Sequence, residues 1–347
     1  MRKLAIALIL LSLFTLPVCA TELIPPTVPD SARQIMPENT SSFSDGLKQL
    51  IQNILSQLNP DLTKACRISG AVIAAVLLIS VLNTVSGQTK ETADLAGAVA
   101  ITSTLLLSTD SLIGLATQTL MDMNVYGKLL LPVMTAAMAA QGGITASAAL
   151  YSGAVLFHTI LSSLINNCLV PMVNLYLALS AANGALGTDM LKKLRDSVKT
   201  FVSWCLKTLL TVFTSYMGIT GILSGTTDAA ALKAAKVTIS TFVPVVGGIL
   251  SDASEAVLVS AGLARSAAGL YGILAILAIF LGPFCRIGVH YLLLKVTATV
   301  SALFGTKVMS DLVADFSTAM GLLLAMTGSS CLLHLISTVC FLKGVGT

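Results

Sequence analysis

The 347-residue chain is 55% hydrophobic and only 10% charged, with a net charge of +4 and a mean hydropathy of +0.90. Soluble domains carry about 25% charged residues, and residues 129–188 contain no Asp, Glu, Lys or Arg at all, so a soluble globular fold is excluded. Lys and Arg form no dense run and aromatics reach only 5%, which excludes a nucleic-acid surface.

At the N-terminus, Arg2 and Lys3 precede an apolar stretch over 4–16, Pro17, and small residues at Val18 and Ala20. This is the pattern of a signal peptide cleaved after Ala20; an uncleaved first membrane helix is the alternative. Either way residues 21–64 begin outside the cytoplasm. They open with a linker rich in proline (Pro25, Pro26, Pro29, Pro37). An amphipathic helix follows, with Phe43, Leu47, Leu50, Ile51, Ile54, Leu55 and Leu58 on one face. Ser42 with Asp45 suits its N-cap, and Asn59-Pro60 ends it. The apolar face lies on the outer membrane surface or on a partner, or else packs on the chain's own membrane domain.

Residues 65–347 are predicted as a multi-span domain, since a span needs about 20 apolar residues. The first span is 68–86. The second starts at 95–107 and meets Ser108-Thr109-Asp110-Ser111. Asp110 is either an intramembrane acid or the cap of a new helix from Ser111, the cap being favoured. Pro132, Gln141-Gly142-Gly143, Asn166-Asn167 and Pro171 divide the uncharged block into spans near 129–140, 146–164 and 170–186. The basic stretch 192–199 is placed in the cytoplasm by the positive-inside rule. Spans at 201–223, 267–285, 289–303 and 319–342 complete the domain. This reading puts Arg286 inside, 307–315 in an external loop and the C-terminus in the cytoplasm. The total is seven to nine spans.

Residues 238–264 organise this region. Pro244 removes a helical hydrogen bond, and Gly247 and Gly248 loosen the backbone. Asp252 with Glu255 then reads as a capping box. The segment is either a broken, re-entrant hairpin facing a water-filled cavity or a short surface loop between ordinary helices. Pro244, Gly247, Gly248, Asp252 and Glu255 are the candidate pore residues, with Asp110 a weaker one. The fold class is therefore an all-α polytopic membrane bundle with a broken helical hairpin.

The seven cysteines form no C-x-x-C pair and read as small apolar residues of helix faces. No motif for metal, phosphate or dinucleotide binding occurs, so no cofactor and no catalytic set is expected. Ser330 and His334 sit one turn apart, the one pair suggestive of a hydrolase. His158, alone on an apolar helix, reads as hydrogen-bonded to a neighbour before a proton relay.

The run from Pro244 to Glu255, continuing through Gly262, resembles the stage III sporulation protein AE family, as does the order of signal, external segment and multi-span domain. The resemblance implies a non-enzymatic multipass component of a secretion-like channel in the mother-cell membrane around the forespore, needed for late forespore gene expression. It implies other stage III sporulation A proteins as partners, including an ATPase-like member and ring-forming members, besides the lipid bilayer. The alternative is a secondary transporter of a small solute, with Asp252 and Glu255 coupling to a cation.

Overall fold

The computed structural model describes residues 26–37, 42–85, 90–140, 144–219 and 267–344. The predicted signal peptide and the whole 244–255 segment lie outside these residues. What is described is helical: α1 (Asp30–Arg33), α2 (Phe43–Gln57), α3 (Asn59–Val85), α4 (Lys90–Ala140), α5 (Ile144–Leu164), a π-helical turn (Ile165–Leu169), α6 (Val170–Leu186), α7 (Asp189–Ile219), α8 (Ala267–Phe304) and α9 (Lys307–Gly344). Among the described residues, five stretches are long and apolar enough to cross a membrane: Asn59–Thr84, Thr92–Ala139, Ser147–Leu186, Gly269–Phe304 and Lys307–Leu342. The chain is an all-α membrane bundle.

The N-terminal cap forms as the sequence dictates. The Asp45 N–H donates to Ser42 Oγ at 3.2 Å, and the Ser42 hydroxyl donates to the Asp45 carboxylate at 2.7 Å. Pro60 stands at the second position of α3, where its missing N–H costs nothing. The apolar face of α2 settles onto the chain's own bundle. Phe43, Leu50 and Ile54 are buried, and α2 packs on α8 and α3. Ile51 and Leu55 of the same helix stay exposed.

α9 is the axis. It packs on α4, α5, α6, α7 and α8, and 94% of its most apolar window is buried. Its residues Phe316, Met320, Leu323, Thr327, Cys331 and Leu335 are buried together, because α9 is apolar on nearly all faces and an all-round apolar helix belongs inside.

The structure corrects the predicted divisions. α4 runs unbroken from Lys90 to Ala140, a helix of 51 residues and about 77 Å at 1.5 Å per residue. It passes through the Ser108–Ser111 cluster and carries Pro132 inside it. Asp110 is therefore not a cap. α8 likewise contains Pro283 and continues past Arg286. A proline removes one hydrogen bond, and packed neighbours in an apolar bundle can support the turn around it. Between α5 and α6 the break is absorbed differently. The Val170 N–H donates to the carbonyl of Ile165, five residues back, just before Pro171. This wide turn leaves Pro171 at the second position of α6, where no intrahelical donor is needed. Among the described residues, only Gly187, with φ at 63°, takes the left-handed conformation that ends a helix, its N–H donating to the Asn183 carbonyl at 2.8 Å.

Topology changes accordingly. Arg195, in the basic stretch predicted inside, pairs with Asp315, predicted in an external loop. Arg286, predicted inside, bonds Asp61 of the external segment at 3.0 Å. Paired groups share a side, so one end of the bundle holds the α6–α7 turn and the start of α9. Gly97, which approaches Ile79 and Met309, and Gly184, which approaches Leu312, lie at the same end.

Candidate functional site

The predicted pore residues Pro244, Gly247, Gly248, Asp252 and Glu255 lie outside the described residues. Asp110 is exposed on α4, while its neighbours Ser108 and Thr109 point into the bundle and are buried. The acid that motivated the sequence reading thus faces outward, and the hydroxyls beside it face α3 and α8.

The strongest polar constellation joins α6, α7 and α9. The Arg195 guanidinium pairs with the Asp315 carboxylate and, through Nε and Nη2, with Asp196 at 3.1 and 2.9 Å. The Tyr176 hydroxyl donates to the second Asp315 oxygen at 3.3 Å. Arg195 is 6% exposed and Asp315 8%. A charge so placed is tolerable only when paired, and each partner here has the other plus a further hydrogen bond. The sequence reading missed Asp315 because it assigned 307–315 to a loop. The signal was present: Met309, Leu312, Val313, Phe316 and Met320 recur at helical spacing through it.

A second constellation lies in the apolar half of the bundle. His158 of α5 and His334 of α9 stack with ring centroids 4.0 Å apart and planes 14° from parallel. Their approach needs Gly127 of α4. A Cβ there would fall 2.4 Å from His334 Nε2. His334 Nδ1 donates to the Ser330 carbonyl at 2.7 Å, which leaves Nε2 as the lone-pair nitrogen. Nε2 of both rings is buried without a hydrogen-bond partner. His158 therefore does meet neighbours, stacking on His334 and hydrogen-bonding the backbone of Leu333. The Ser330–His334 contact runs through the backbone carbonyl, so the imidazole does not hold the Ser330 hydroxyl as a general base would. Because the rings are nearly parallel, their in-plane lone pairs do not converge on one ion. Among the described residues, no group of three His, Cys, Asp or Glu converges either.

Arg286 with Asp61 closes α8 against α3, and Asn83 of α3 donates to Asp94 of α4 at 2.8 Å. Asn124 of α4 reaches Ser162 of α5 at 2.8 Å. These contacts fix helix register and supply no reacting group.

Comparison with known proteins places these features in a family context. A family model described as "Stage III sporulation protein AE" matches residues 31–344. A curated Bacillus subtilis (strain 168) protein named "Stage III sporulation protein AE" is 26% identical over 176 residues. That alignment covers 50% of this chain and 44% of the relative, so the match spans less than half of the relative's length. No solved structure matches.

Proposed function

The chain belongs to the stage III sporulation protein AE family, and on that basis we propose that it is a non-enzymatic multipass component of a secretion-like channel complex between mother cell and forespore, required for late forespore gene expression. The family match over residues 31–344 carries this reading. Among the described residues, Arg195–Asp315 and His158–His334 brace helices against each other, as a membrane scaffold requires. Energy for export then comes from an ATPase-like partner, and ring-forming stage III sporulation A proteins complete the conduit.

In this reading residues 1–20 are a cleaved signal, 21–64 lie outside the cytoplasm and 65–347 form the membrane domain of the mother-cell membrane around the forespore. The end holding Lys192, Lys193, Lys199 and Lys307 is cytoplasmic by the positive-inside rule. α9 starts at that end and leads away from it, so in this reading the C-terminus reaches the opposite face, in place of the cytoplasmic C-terminus expected from counting spans. The segment 244–255 remains the proposed pore element, with Asp252 and Glu255 facing water.

The test is replacement of the resident family member by this chain in a sporulating cell. Restored late forespore reporter expression, with co-purification of the ring-forming members, is the expected result. Solute uptake by vesicles holding the purified chain alone, with no partner captured, would assign a transporter instead.

A further inference from the structure

Between α3, α4 and α8 lies a partly enclosed cavity of about 10 Å³, close to the ~10–15 Å³ that one water molecule requires. Its wall is polar on three sides: Ser69 from α3, Ser108 and Thr109 from α4, and His290 from α8. All four are buried, Thr109 to 2% exposure and His290 to 5%. Their hydroxyls behave differently from others in the bundle. Buried Thr119, Ser180 and Thr297 each donate to the carbonyl one turn back on their own helix, at 2.7–2.9 Å. Among the described residues, Ser69, Ser108 and Thr109 make no such side-chain bond, and the His290 ring has none either. Four polar side chains thus surround one small space without satisfying one another. The rest of the lining, Ala65, Ile68, Leu105, Leu112, Leu293 and Leu294, is apolar, so these four side chains supply the polar partners that a buried water needs.

We infer that this cavity is a binding site for a single ordered water molecule, which bridges the His290 ring to the hydroxyls of Ser69, Ser108 and Thr109 and ties α3, α4 and α8 together. The Asp61–Arg286 ion pair stands one turn from His290 along α8. The bound water extends this polar ladder inward from α8 to the middle of α4. Four partners suit a water, which makes about two to four hydrogen bonds when buried. A small cation needs a fuller oxygen shell, and only three side-chain oxygens line this space.

The experiment is a crystal structure of the full chain from a lipidic phase, at a resolution that shows other buried waters, with Thr109→Val as the paired variant. A density peak within 2.6–3.2 Å of Thr109 Oγ1 and a His290 ring nitrogen is expected, absent in the isosteric variant, whose thermal midpoint falls by a few degrees. An empty cavity in a map that resolves waters elsewhere overturns the inference. Thermal unfolding in sodium chloride against choline chloride supplies the second arm. Equal midpoints are expected for a water site, and a sodium-dependent rise overturns it in favour of a cation.

Discussion

Gly127 shows how one absent methylene shapes the interior. The His334 ring occupies the space a side chain at 127 would fill, and only there does it lie flat on His158. Gly127→Ala is expected to destabilise the protein by about 1–3 kcal/mol, the usual cost of overpacking. Adding His334→Ala should recover part of that loss, because the clash and the ring vanish together. Denaturant unfolding of the four members of this cycle in detergent measures the coupling; additive effects would show that Gly127 and His334 do not contend for one space. Arg195 and Asp315 obey the opposite logic. Removing Asp315 leaves a guanidinium that is 6% exposed with the half-exposed Asp196 as its one remaining carboxylate among the described residues, and Asp315→Ala should cost up to about 3–5 kcal/mol. Replacing both, as Arg195→Met with Asp315→Leu, should restore most of the stability, since apolar substitutes for a buried pair are often neutral or better. Neither pair was legible in the sequence. The sequence reading gave His158 a neighbour but not which one, because stacking across 176 positions of chain leaves no local trace.

Helix continuity was the property the sequence disguised most. Proline, paired asparagines and a Ser-Thr-Asp cluster are ordinary boundary signals, and each marks a real local cost. Pro132 and Pro283 nevertheless lie within unbroken helices, because continuity is decided by the surrounding apolar packing, which no local window contains. By contrast, signals that act within a few residues read true: Ser42 caps α2, Pro60 opens α3 and Gly187 closes α6. The π turn at Ile165–Leu169 yields a sharp expectation. Such a turn is an α-helix with one residue inserted, and here it spares Pro171 a clash with the carbonyl four residues back. Deleting Asn167, which is exposed and bonds only Ser163 at 3.2 Å, restores ordinary winding without shifting α6. The deletion alone should cost about 3 kcal/mol through Pro171. The deletion combined with Pro171→Ala should be close to neutral. Thermal unfolding of both variants distinguishes this from a flexible joint, for which the proline would make no difference.

The bundle is longer than the membrane that holds it. α8 and α9 each contain 38 residues, about 57 Å of helix against a hydrocarbon core of about 30 Å. Composition revealed the membrane class, and hydropathy revealed the apolar stretches, yet it placed them side by side where the structure sets several end to end. The ion pairs resolve the arrangement that charge counting could not: Arg195 with Asp315 at one end, Arg286 with Asp61 further along. Direction then follows from continuity. The α6–α7 turn at Gly187 and the start of α9 at Lys307 share an end, and α9 runs from there without a break to Gly344. If α9 crosses the bilayer once, Gly187 and the chain end beyond Gly344 face opposite compartments, whichever way the molecule is inserted. A phosphatase fused after Thr347 should be active outside the cytoplasm, while a cysteine at Thr188 should react only with maleimide that has entered the cell. Reversal of both results would invert the molecule and leave the bundle intact. Both sites on one face would mean that α9 returns to the side it started from, and the axial helix of this bundle would then not span the membrane.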